Sequence, residues 1–298
     1  MNAIFGEKVY WLHAVSPLHV GTGRGGGYID IPAVREKGTG WPYVPGSAVR
    51  GVIADKNGAA EGSREKGPDG KGTRIGAAFG RSGKNKDSGP VDATAGSLVF
   101  SDATIVCLPV RTFCGTFAWL TSPFALDRLR CADKPKAPGR IVENGDILTA
   151  ENSKISQDSK VYFENSDLDA RRDAKLGEWG QFIAENVFAG SEEWQDIFKA
   201  RFALVHDDVF TSFCKTGTQI DARIGLDGLT KTTLKRSLWY EESLPAGTIL
   251  AGVVWCDKVY GNRFTPEDLL EEFCRPYAAL QIGGNASTGK GQVRCVFS

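Results

Sequence analysis

Apolar positions fall along this chain in short runs separated by polar and glycine-rich stretches, with no repeat. Val9 to Val15 (VYWLHAV) is bulky and nearly continuous in apolar character, as a central strand requires. Ser97 to Arg111 returns to strand character, and Thr248 to Cys256 (TILAGVVWC) is the clearest buried strand. Helical spacing shows at Val49, Val52 and Ile53 after Pro45-Gly46-Ser47, where Ser47 is the expected N-cap. Ser122-Pro123 and Thr265-Pro266 are further helix starts, followed by Leu126 and Leu129 and by Leu269, Leu270 and Phe273. Leu176, Trp179, Ile183 and Val187 form one helical stripe, and Trp194, Ile197, Phe198 and Phe202 a second. Residues 217–244 alternate as a hairpin, with Asp227-Gly228 in the turn region. Residues 57–92, polar except for Ile75–Phe79, predict a mobile loop because they bury too little apolar surface to offset ordering. Strands and helices interleaved in this way predict an α+β domain with insertions.

Composition alters that picture in two places. Glycine, 36 of 298 residues, is about 12% against a usual ~7%, and the excess belongs to loops. The formal net charge is zero, so binding to nucleic acid would need a local basic face or an assembly that adds weak contacts. Seven widely spaced cysteines without a C-x-x-C pair predict reduced thiols in a cytoplasmic protein, with no disulfide framework or zinc site. The N-terminus lacks the pattern of a signal peptide, and no apolar run approaches the ~20 residues of a membrane span.

Two glycine loops carry the candidate chemistry. The first, LHVGTGRGGGYIDIPAVRE, fits G-x-G-x-x-G at Gly21–Gly26, but extended sequence follows where a dinucleotide site needs a helix. The second, GGNASTGKG at 283–291, nearly fits a P-loop, yet Gly291 replaces the magnesium-binding hydroxyl and too few residues follow it. Both loops are basic, through Arg24 and Lys290, and both follow strands, as loops tracking a phosphate backbone would. Asp30 is a lone carboxylate in the first loop, able to bind a divalent ion jointly with phosphate or to act as a base. Glu241 and Glu242 read most simply as surface charges, and Arg223, Lys231, Lys235 and Arg236 give the hairpin a basic character. The residues alone stop at an α+β protein with two basic glycine loops and a possible RNA partner.

LHVGTG, YIDIPAVRE, GWPYVPGSAVRG, ARIGLD with LWYEESLP, and the terminal LQIGGNASTGKGQV together resemble the repeat-associated mysterious proteins of CRISPR systems. The resemblance is closest to the backbone subunit of type III-B (Cmr-type) effector complexes and spans nearly the whole chain, 1–298, as one domain. It implies a ferredoxin-like, RRM-like palm with the 217–244 hairpin inserted as a thumb, together with helical insertions. It further implies a filament of copies along a guide RNA, with other effector subunits, that cuts single-stranded target RNA at regular intervals using Mg2+ or Mn2+. Asp30 stands where the family keeps its catalytic aspartate, for metal binding or for activating a ribose 2′-hydroxyl, with His19 and Glu241 as support. Ser47, Arg50, Gly283, Gly284, Thr288 and Lys290 stand at matched guide-contacting positions, with Arg24 and Arg223 as further basic candidates. Ser243 replaces the tyrosine of some relatives. The alternatives are a non-cleaving guide-binding subunit, a Csm-type counterpart, and a stand-alone guide-processing endoribonuclease.

Overall fold

The computed structural model describes residues 6–23, 25, 27–59, 73–80, 95–131, 133–136, 142–230, 232–259 and 264–298, with backbone alone at 226, 235 and 236. Its centre is β1 (Glu7–Ala14), whose two faces are both covered. Tyr10 and Leu12 point into one hydrophobic cluster, Val9 and Trp11 into another. Burial on both faces is why the strand reads as a continuous apolar run instead of alternating.

β1 pairs antiparallel with β12 (Ile249–Cys256) on one side and β14 (Gln292–Phe297) on the other. β12 pairs in turn with β3 (Leu98–Phe100) and β4 (Ala103–Arg111), and β13 (Tyr277–Gln281) pairs with β14. Helix α1 (Gly46–Lys56) follows β1, and α7 (Pro266–Phe273) follows β12. Both pack on the same face, through Val49 and Ile53 and through Leu269, Leu270 and Phe273. A βαββαβ path whose strands lie in the order fourth, first, third, second is the ferredoxin-like arrangement predicted for the palm.

The sheet continues from β4 through β5 (Phe117–Thr121), β9 (Phe202–Val205), β6 (Asp146–Thr149) and β8 (Asp167–Arg172) to β7 (Lys160–Tyr162). A short β2 (Tyr43–Val44) pairs with β4. Helices α3 (Pro123–Asp127), α4 (Ala174–Val187), α5 (Glu192–Lys199) and α6 (Asp207–Thr216) belong to this insertion. The α4 stripe is buried as its spacing requires, against Trp11 and Trp119. The second stripe is cut short: Phe202 lies in β9, because four buried residues in a row fit either period. Strand β9 and helix α6 are elements that the sequence pattern did not reveal.

Two caps behave as local sequence dictates. Ser122 Oγ accepts from Ala125 N, and Thr265 with Asp268 forms a capping box. The third does not. Helix α1 starts at Gly46 with Pro45 as N-cap and no side-chain cap; Ser47 is exposed on the first turn. The Gly46 N–H instead donates to Asp102 Oδ1 at 2.8 Å, a carboxylate delivered from the β3–β4 connection. Within 57–92, residues 60–72 and 81–92 lie outside the described set. Residues 74–79 form a short helix, α2 (Arg74–Phe79), capped by Thr73, with Ala78 and Phe79 buried in the core. No helix among the described residues is long and apolar enough to cross a membrane.

The hairpin is β10 (Gln219–Leu226) against β11 (Thr233–Ser243), a two-stranded sheet of its own. Asp227 Oδ1 accepts from the N–H groups of Leu229 and Thr230, holding the turn. Its outer part is exposed, but at Glu241–Leu244 every residue is buried as the strand re-enters the palm.

Candidate active site

The base of β11 is gripped by the two arms of the first glycine loop. Leu18 and Leu244 exchange both backbone hydrogen bonds, at 2.9 and 2.8 Å. On the returning arm, Ile31 N–H donates to Tyr240 O and Glu242 N–H donates to Ile31 O, a parallel bridge to Glu241. The arms close on each other through the Gly21–Ala33 bridge. Asp30 sits where the returning arm leaves the loop. Its side chain is exposed, and Oδ2 accepts the Tyr240 backbone N–H at 2.8 Å. One carboxylate oxygen is thus anchored to the hairpin, and among the described residues none donates to Asp30 Oδ1.

His19, on the outgoing arm, is only 6% exposed. Its Nδ1 faces the Glu242 carbonyl oxygen at hydrogen-bond distance. A carbonyl only accepts, so Nδ1 carries a proton, with Glu241 Oε1 3.9 Å away. The groups that hold Asp30 and His19 lie two residues apart on one strand, about 7 Å at the usual rise. Glycines let the loops close around the ring. A Cβ at Gly21 would stand 2.7 Å from Nε2, and one at Gly283 (φ +80°) would stand 2.0 Å from the His19 carbonyl oxygen. The Gly284 N–H donates to that oxygen at 3.0 Å, so the closing loop and the first loop are joined at His19.

Glu241 and Glu242 are not the surface charges their sequence suggests; they are 3% and 2% exposed. Adjacent strand residues point to opposite faces, and at this point the palm covers both. Glu241 Oε1 accepts from Asn285 Nδ2 and, at 3.2 Å, from Lys290 Nζ, while Arg223 Nε stands 3.7 Å from Oε2. Lys290 also donates to Asp221 Oδ2 at 2.6 Å and to Ser243 Oγ at 2.8 Å. Lys290 is therefore a buried cation tying the closing loop to the hairpin, with all three of its N–H groups engaged. The expectation of a Lys290 side chain open to phosphate gives way to that geometry. Its bond to Asp221 comes first among the causes that hold the Asp221 carboxyl below the usual carboxylate range.

The remaining candidates disperse. Arg50 donates to Phe79 O at 2.6 Å and lies over the Phe79 ring, so it fastens α2 to α1. Thr288 is exposed, with its hydroxyl donating to Asn285 O at 2.9 Å. Arg223 is partly exposed beside Glu241, and Arg24 lies outside the described residues. Sequence reasoning missed Asp221, Asn285 and the pairing of Arg35 with Glu242. Nothing local to those residues marks partners so distant along the chain.

Among the described residues, no three His, Cys, Asp or Glu side chains gather to hold a metal ion. The described side chains alone make no cage for one. The single exposed carboxylate of Asp30 does fit the way Mg2+ is held with phosphates and waters completing its shell.

A ferredoxin-like palm, an extra hairpin docked at its base and two glycine loops meeting there define an α+β protein whose surface chemistry gathers at one hairpin root. Residues 11–294 match the model of the RAMP superfamily, and the chain belongs to that family. The CRISPR system Cmr endoribonuclease Cmr4 of Pyrococcus furiosus is 30% identical over 289 residues, covering 95% of this chain and 92% of that protein. The fold is shared with the crystal structure of oligomeric Cmr4 from Pyrococcus furiosus (TM-score 0.69, 23% identity, 98% of each chain covered). It is shared too with a chain of the type III-B Cmr-beta complex bound to cognate target RNA (TM-score 0.68, 18% identity, 99% and 98% covered).

Proposed function

We propose that this chain is the backbone subunit of a type III-B CRISPR effector complex, binding guide RNA as stacked copies and cutting the paired target RNA. Its likeness to a Cmr endoribonuclease along nearly the whole length supports the subunit assignment. The observation that carries the chemistry is Asp30: an exposed carboxylate, aimed by the Tyr240 N–H, at the root of the hairpin. In this reading Asp30 takes the proton from a ribose 2′-hydroxyl of the target. The 2′-oxygen attacks the adjacent phosphorus, the bond to the 5′-oxygen breaks, and that oxygen takes a proton from water. The products are a 2′,3′-cyclic phosphate and a 5′-hydroxyl, and DNA, lacking the 2′-hydroxyl, is not cut. His19 and Glu241 support this arrangement from beneath, the first by holding the closing loop and the second by anchoring it. A divalent ion, Mg2+ or Mn2+, held by Asp30 with target phosphate and water, would supply neutralisation of charge at the phosphate.

The test is cleavage by the complex assembled on a defined guide, comparing wild type with Asp30→Ala at equal target binding, with and without chelator. Products spaced along the guide, lost in the mutant and ending in cyclic phosphate, are expected. Unchanged cutting by Asp30→Ala removes Asp30 from the chemistry, and unchanged cutting in chelator removes the metal. If both proteins bind and neither cuts, the chain is a scaffold.

A further inference from the structure

Glu242 has no part in the reading above, yet it holds more of the site than any other residue. Its N–H donates to Ile31 O at 3.0 Å, fixing the arm that carries Asp30. Its carbonyl oxygen takes the His19 Nδ1 proton. Its carboxylate accepts the Ala33 N–H at 2.9 Å through Oε2, and Thr218 Oγ1 at 2.8 Å and Arg35 at 2.5 Å through Oε1. Arg35 in turn donates to Gly40 O at 2.9 Å and Cys214 O at 3.0 Å, which anchors the group in the palm and at the end of α6. A buried carboxylate this fully partnered has no open oxygen for substrate, so its action runs through what it holds.

We infer that Glu242 is a positioning residue: its carboxylate grips the Ala33 N–H and so locks the Asp30 arm onto β11, beside the backbone carbonyl that sets His19 in the Nδ1–H tautomer. Arg35 is its counter-ion. This rests on the assignment of Asp30 as the base. Two consequences follow from the geometry. The His19 ring has one tautomer, because the alternative would set an unprotonated Nδ1 against a carbonyl oxygen. And an isosteric change at 242 that removes its charge alters catalysis more than RNA binding, since misplacing a reacting group by about 1 Å costs roughly 100-fold in rate.

The test uses the full chain and the guide-loaded complex. Histidine labelled with 15N reports the His19 tautomer, its signal assigned against His19→Asn among the chain's three histidines. Once the ring is titrated to its neutral form, the wild type is expected to keep the proton on Nδ1; the reverse tautomer overturns the inference. Glu242→Gln is expected to slow single-turnover cleavage at saturating target tenfold or more, with guide binding within twofold and the His19 tautomer kept, because the backbone carbonyl is untouched. A Glu242→Gln complex that melts lower but cuts at the wild-type rate has lost only stability, and the inference fails. Should Glu242→Gln not fold, Thr218→Val removes one of the three carboxylate partners. It should slow cutting severalfold at unchanged binding, and a wild-type rate counts against the inference. Asp30→Ala in the same assay separates the two ideas. A dead Asp30→Ala beside a normal Glu242→Gln overturns the positioning role alone, whereas an active Asp30→Ala overturns the base assignment and this inference with it.

Discussion

Replacing Lys290 with methionine tests the role of the buried ion cluster directly. Lys290 is 6% exposed, and its ammonium donates to Asp221 at 2.6 Å, Ser243 at 2.8 Å and Glu241 at 3.2 Å. Removing one partner from a buried ion pair costs about 3–5 kcal/mol, because the other charge stays behind uncompensated. Two features pull the value down. The Asp221 side chain is 28% exposed and regains water, and Glu241 keeps Asn285. Methionine also preserves the apolar stem. A loss of about 3 kcal/mol at neutral pH is therefore expected, a large share of the 5–15 kcal/mol typical of a domain. The Asp221 carboxyl is held low by Lys290. Its share of the stability is accordingly present above the unfolded carboxylate pKa of about 3.9 and is lost as pH falls through the lower folded value. The assay is the urea unfolding midpoint of wild type and Lys290→Met at pH 7, followed by circular dichroism. A difference under about 1 kcal/mol refutes the reasoning. The rival role, a phosphate contact, has the opposite signature: unchanged stability, and a log–log salt slope of guide binding shallower by about 0.7.

Two further outcomes follow from the same geometry. Gly283→Ala puts a Cβ 2.0 Å from the His19 carbonyl oxygen at φ +80°, so a loss of about 2 kcal/mol or more in denaturant is expected; a change within about 0.5 kcal/mol would show that the loop gives way freely. Burial, and then the nearby Arg294, pushes the His13 imidazole down to about 4. The unfolded chain, with a histidine pKa of about 6.5, binds the proton first, so stability is complete above that pH and falls toward pH 4 by up to roughly 3 kcal/mol. His13→Phe should flatten melting temperature against pH across that window, and an unchanged profile would clear His13 of the effect.

Where a structural decision depends on residues within a turn of each other, it was legible before any coordinates. The β1 apolar run, the α4 stripe, the Ser122-Pro123 start and the Thr265–Asp268 box are of this kind, since period and capping chemistry act locally. The hairpin was legible too, from its alternation and Asp227-Gly228. Asp30 became a catalytic candidate through motif resemblance, because a lone exposed carboxylate has no periodicity of its own.

What only the tertiary structure decided is which charges are buried and what they meet. Glu241 and Glu242 look like solvated strand residues until the palm covers both faces of β11. Glu242 finds Arg35 207 positions away, Lys290 finds Glu241 49 positions away, and the N-terminus of α1 finds Asp102 56 positions away. Sequence pattern reports that a face will be buried but carries no record of its partner. A charge survives burial only when a distant segment brings the opposite charge or the right donor to it. That pairing converts Lys290 from an apparent phosphate ligand into an internal strut, and Glu242 from a surface acid into the residue holding both arms of the site.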